Sequence, residues 1–113
     1  MKLDIADKWI AALRSGEYKQ AVGALYDGEG YCCLGVLCKV LGEEFTKDNE
    51  YWEVDGEYSV LPGNLVERAG MYSPAGCFWE GDDETERSLT EENDNGQTFE
   101  EIADIIERHK HKL

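Results

Sequence analysis

Basic residues are few. The 113-residue chain carries 11 Lys and Arg against 25 Asp and Glu, a formal net charge of −14 at pH 7. A polyanion is captured by a positive face, so this balance argues against electrostatic binding of DNA, RNA or an anionic membrane surface. Histidine is scarcer still, and His109 and His111 both lie in the terminal HKHKL. Nucleophilic catalysis needs a positioned base, which two residues at a chain end do not offer. No apolar stretch approaches the roughly 18–20 residues of a membrane span. The opening MKLDIADKWI alternates charged and apolar residues and does not read as a signal peptide. P-loop, dinucleotide-binding glycine and EF-hand patterns are missing. The expectation is a cytoplasmic protein without catalytic machinery or cofactor.

Cysteine is present four times, as Cys32, Cys33, Cys38 and Cys77. An even count suggests disulfides only in a secreted chain. Adjacent Cys32 and Cys33 do not readily bridge each other, and the interval to Cys38 lacks the rhythm of zinc sites. The expected role is packing, three cysteines in a buried segment and one on a strand. Apolar surroundings raise a thiol pKa and quench its reactivity.

The length fits one domain, 1–113, and 42% hydrophobic residues with 3 Trp, 6 Tyr and 3 Phe can fill a core. Ala6, Trp9, Ile10 and Leu13 predict an amphipathic helix over 3–14. An irregular segment, 18–26, runs into the turn Asp27-Gly28-Glu29-Gly30. The most apolar stretch, Tyr31 to Gly42, predicts a buried central helix from about Cys33 to Leu41. Gly35 inside it costs roughly 1 kcal/mol in propensity, which a close backbone neighbour would explain. Residues 51–61 read as a hairpin around Asp55-Gly56. Turn chemistry favours Val54 opposite Glu57, whereas matching the apolar faces favours Val54 opposite Tyr58, the preferred register. Further on come a helix at 63–69, a strand at 77–79 and an exposed acidic loop from Gly81 to Arg87. Two capping boxes follow, at Ser88-Leu-Thr-Glu91 and Thr98-Phe-Glu-Glu101, with helices to about Asn93 and Arg108. The class is α+β, with a small antiparallel sheet packed on a central apolar helix and a C-terminal helical pair.

Three motifs carry a resemblance: Trp9-Ile-Ala-Ala-Leu-Arg-Ser-Gly-Glu-Tyr18, Tyr31-Cys-Cys-Leu-Gly-Val-Leu-Cys38, and Asn93-Asp-Asn-Gly-Gln-Thr-Phe99 with the following Ile102-Ala-Asp-Ile-Ile-Glu107. Together they resemble a family of small uncharacterised proteins of tailed bacteriophages and prophages. The resemblance spans most of 5–107 and carries no catalytic residues. It implies an accessory role against host defence, by trapping a nucleotide signal or by binding a defence protein.

The last two helices have the outline of a helix-turn-helix, but Glu100, Glu101, Asp104 and Glu107 on the second would repel phosphates. Aromatic residues are the better candidates. Tyr31, Trp52, Tyr58 and Trp79 could line a base-binding pocket, with Arg68 and Arg87 as phosphate partners. Helix N-termini near Tyr31–Leu34, 63–65 and 98–100 could add N–H donors. The expected function is sequestration of a small nucleotide-derived immune signal, in a pocket completed by homo-oligomerisation. The alternative is an acidic inhibitor or DNA mimic that occupies a basic host protein. It rests on two segments: 43–57 has eight charged residues, seven acidic, and 80–94 has nine, eight acidic.

Overall fold

The computed structural model describes residues 1–81 and 85–113. Asp82, Asp83 and Glu84, the centre of the expected acidic loop, lie outside the described residues. The element order is α1 (Leu3–Arg14), α2 (Cys33–Val40), β1 (Thr46–Asp48), β2 (Tyr51–Glu53), α3 (Gly63–Ala69), β3 (Cys77–Glu80), β4 (Thr85–Ser88), α4 (Leu89–Asp94) and α5 (Phe99–His109). The fold is α+β, with two separate two-stranded antiparallel sheets among the described residues.

Helix α1 buries Ala6, Trp9, Ile10 and Leu13, the stripe its spacing predicts. It packs against α5 and α2, and the Trp9 indole Nε1–H donates to Cys33 O at 2.8 Å. Helix α2 is buried from Cys33 through Cys38. It closes through Gly42 N to Lys39 O and Glu43 N to Cys38 O, both 3.0 Å, which satisfy two carbonyls of the last turn. A Cβ on Gly35 would collide with the Leu25 carbonyl, which is the close backbone approach that the glycine implied. Burial pushes the Cys32 thiol up to about 11, Cys38 to about 12 and Cys33 well above its usual value. These thiols are packing groups, and Cys77 sits half-buried on β3.

The first hairpin differs from its expected span. Its strands are 46–48 and 51–53, with Trp52 opposite Lys47. Residues 57–61 form no strand; only the bridge Val54–Glu57 continues the 51–54 run. The register is therefore the one set by turn chemistry. Asp55 (φ 50°) and Gly56 (φ 84°) both take positive φ, as a two-residue turn requires. Pairing ends after that single bridge, so no longer ladder exists to reward apolar matching. The second sheet also extends beyond expectation: Thr85–Arg87, expected as loop, and the N-cap Ser88 pair with β3, Phe78 opposite Arg87 and Trp79 opposite Glu86.

At the carboxyl end, Ser88 Oγ accepts from Glu91 N at 3.2 Å, and both bonds of the Thr98–Glu101 capping box form. Phe99, Ile102, Ala103, Ile105 and Ile106 of α5 are buried, whereas Glu100, Glu101, Asp104 and Glu107 are exposed. The exposed α5 face is thus acidic, and Glu100 and Asp104 pair with Arg14.

Candidate functional site

Five aromatic rings form a contiguous network at the junction of the 18–31 segment and the first hairpin, and a separate Tyr51–Tyr58 pair lies beside it across a shared cleft. The turn 27–30 builds its centre. Asp27 Oδ1 accepts from Glu29 N at 2.9 Å and Gly30 N at 2.7 Å, and Asp27 N donates to Gly30 O at 3.1 Å. That turn folds Tyr26 back on Tyr31, whose rings stack at 4.5 Å. Tyr18 meets Tyr31 edge-on at 5.4 Å, Phe45 flanks both stacked rings, and Trp52 meets Tyr26 edge-on at 5.0 Å. Tyr51 and Tyr58 stack at 4.7 Å on the outer edge. Backbone ties complete the frame: Leu25 N donates to Tyr58 O at 2.8 Å.

This cleft, of about 120 Å³, is walled by Tyr26, Tyr51, Trp52 and Tyr58 and rimmed by Asp27 and Glu50. No basic residue lines it among the described residues. The backbone hydrogen bonds from Gly30 and Glu29 hold the Asp27 carboxyl below its usual value. The Asp27 carboxyl is therefore ionised at neutral pH.

A second cleft, about 400 Å³, lies between β3 and the C-terminal segment, lined by Phe78, Trp79, Glu80, Gly81, His109 and Lys112. The Trp79 ring is 55% exposed there. Glu80 Oε1 accepts from Arg108 Nη2 at 2.8 Å and lies 3.1 Å from His109 Nε2. Arg108, and then His109, hold its carboxyl below the ordinary 4.5. A carboxyl with a depressed folded-state pKa stabilises the fold above its unfolded pKa, and that contribution is lost as pH falls through the folded value. Glu80→Gln is accordingly expected to lower the urea midpoint at neutral pH and to flatten its decline below about pH 5. A pH series of unfolding curves checks this.

A third groove, about 280 Å³, runs along α5 and contains Arg87 and Arg108 among the carboxylates of Glu80, Glu92, Glu101 and Asp104. Arg87 reaches Glu92 at 3.6 Å and Arg108 reaches Glu80, so each guanidinium there faces a carboxylate of this chain.

The structure divides the residues named from sequence. Trp52 and Tyr58 line the aromatic cleft, and Tyr31 stands behind it, held on several sides by other rings. Arg68 is elsewhere, bound to Glu43 Oε1 at 2.6 Å and Leu41 O at 2.7 Å, where it closes the end of α2. Trp79 belongs to the second cleft and Arg87 to the third. Tyr26, Asp27 and Glu50 were missed. The available signal was the turn itself, since Tyr26 and Tyr31 flank Asp27–Gly30 as a tight turn places a cross-strand pair.

The helix N-termini also differ from expectation. The first N–H of α2 is taken by buried Asn93, whose Oδ1 accepts from Cys33 N at 3.2 Å. The α5 terminus is closed by its capping box, and α3 has only seven residues. Asp94 Oδ1 accepts from Gly23 N at 3.0 Å. The Asn93–Phe99 and Tyr31–Cys38 motifs therefore meet, and their contacts organise the fold.

Fold and site together define a small acidic α+β protein with an aromatic cleft bordered by Asp27 and Glu50. The chain belongs to the family described as "Domain of unknown function (DUF8296)", whose model matches residues 1–110. No curated protein and no solved structure matches it. Among the described residues, no helix is long and apolar enough to cross a membrane, and no group of His, Cys, Asp or Glu is placed to hold a metal ion.

Proposed function

We propose that this protein acts by binding a basic partner protein through the face that carries the first hairpin, blocking a host defence protein during phage infection. The observation that carries the reading is the aromatic cleft, whose polar rim is Asp27 and Glu50 and which has no basic lining residue among those described. Such a surface attracts cationic groups and repels phosphates. Its volume of about 120 Å³ is well under the roughly 300–1,000 Å³ that encloses a drug-sized ligand, so it suits a side-chain head group. The acidic run 43–57 supplies Glu50 to this cleft and would steer a positive partner toward it. Mimicry of DNA is the form this takes where the partner's groove ordinarily holds phosphates. The phage setting rests on the sequence resemblance.

A second reading, sequestration of a nucleotide-derived signal, is favoured by one observation. The Trp79 cleft has an exposed indole beside His109 and Lys112, and at about 400 Å³ it falls in the ligand-sized range.

One experiment separates the two. Protein immobilised at low salt is expected to retain a basic protein from bacterial lysate, to release it steeply as salt rises, and to lose it on Glu50→Lys with Asp55→Lys. Capture that is indifferent to salt and to these substitutions overturns the proposal. A thermal shift with cyclic nucleotides or ADP-ribose derivatives, abolished by Trp79→Ala, would establish the second reading in its place.

A further inference from the structure

We infer that the aromatic cleft receives a single arginine side chain of the partner, with the guanidinium against the rings and Asp27 as its carboxylate. The inference rests on the proposed binding of a basic partner and adds where the contact is made and by which group. Four rings present π faces or edges around a narrow space. A cation over such faces is attracted by the ring quadrupole. Lysine meets this requirement less well, because its ammonium is a strongly hydrated point charge. Guanidinium is flat, weakly hydrated and able to stack while its edge donates to a carboxylate.

Asp27 is pre-organised for that second contact. Its Oδ1 is held by two backbone N–H groups of the same turn. Gly28 has φ +97°, and a Cβ there would lie 2.9 Å from Trp52 Nε1, so the turn backbone rests directly on the indole. Tyr26 Oη–H donates to Gly28 O at 2.9 Å, binding the same turn to the opposite wall. Among the described residues, no cation of this chain lies within ion-pair distance of Asp27 or Glu50. Lys19 pairs with Glu29 of the same turn at 3.5 Å and acts on Asp27 only from beyond ion-pair distance, while Lys39 pairs with Glu44 and Arg68 with Glu43. The outer rings remain accessible, Tyr51 at 51% and Tyr58 at 43% exposure. An open cleft of this size takes the end of a side chain presented by a larger body.

The test is titration of the full chain with two six-residue peptides of equal charge, one of arginine and one of lysine, at low salt. It is followed by the backbone and indole N–H signals in two-dimensional NMR. The expected result is a shift of the Trp52 indole and the Tyr51 and Tyr58 amides, with the arginine peptide about tenfold tighter. Tyr51→Ala with Tyr58→Ala removes only exposed rings and is expected to abolish that preference. Asp27→Asn keeps an acceptor for the turn and is expected to weaken the arginine peptide about tenfold. Equal affinities with signals shifting diffusely over the acidic surface would overturn the arginine site and leave the proposed function standing. No binding of either peptide at low salt would overturn both.

Discussion

Gly35→Ala is expected to cost roughly 3 kcal/mol or more of folding stability, read as a lower urea midpoint at unchanged slope. Helix propensity alone predicts the opposite sign, a gain of about 1 kcal/mol from replacing an interior glycine. The contact decides between them. The added Cβ would meet the Leu25 carbonyl oxygen and carbon, which are backbone and cannot turn aside as a side-chain tip does. Leu25 is itself fixed: its N–H donates to Tyr58 O at 2.8 Å and its carbonyl accepts from Cys32 N at 3.2 Å. Relieving the clash would move α2 away from the segment that carries Tyr26 and the cleft. Perturbation of the Tyr26 and Trp52 NMR signals should accompany the lost stability. A midpoint equal to or above that of the parent protein would refute this account of α2 packing.

Asn93→Ala is expected to cost about 3 kcal/mol, again by urea unfolding. Asn93 is fully buried, and its side chain makes three hydrogen bonds. Oδ1 accepts from Gln20 Nε2 at 2.9 Å and from Cys33 N at 3.2 Å, and Nδ2 donates to Ala21 O at 2.8 Å. Alanine would leave the buried Cys33 N–H and the half-buried Ala21 carbonyl without this partner, at roughly 1–3 kcal/mol for an unsatisfied buried group. It would also uncap α2, because Cys32 at the N-cap position makes no side-chain cap bond. Gln20→Ala should cost much less, about 1 kcal/mol, since it removes the outermost member of the network. Equal costs for the two substitutions would show that Asn93 is not the organising residue. Against a typical domain stability of about 5–15 kcal/mol, either Gly35→Ala or Asn93→Ala is a large perturbation.

Local signals were the ones sequence reading captured well. The 3–14 stripe, the Thr98–Glu101 capping box and the glycine after α2 act within a turn or two of helix, where spacing maps directly onto geometry. The first hairpin was harder to read, because two local rules competed and the length of the ladder, a tertiary quantity, decided between them. Strand β4 was hidden by its charge. Thr85, Glu86 and Arg87 are exposed and carry no apolar alternation, yet they pair with β3 through backbone groups that any residue has. The candidate site was legible in its chemistry and not in its membership. Trp52 and Tyr58, singled out by their aromatic character, line one cleft. Arg68, Trp79 and Arg87, which residue type alone places with them, lie in other parts of the surface.

The sequence by itself determined the helices, their caps, the buried character of Cys33–Cys38 and the scarcity of positive charge. Each follows from residue type and short-range spacing. Only the tertiary structure decided which rings meet, that Asn93 caps a helix sixty residues earlier in the chain, and that Asp27 and Glu50 border the aromatic cleft. The reason is physical: hydrogen bonds and ring contacts between segments far apart in the chain depend on how the elements pack, and no local spacing encodes that packing.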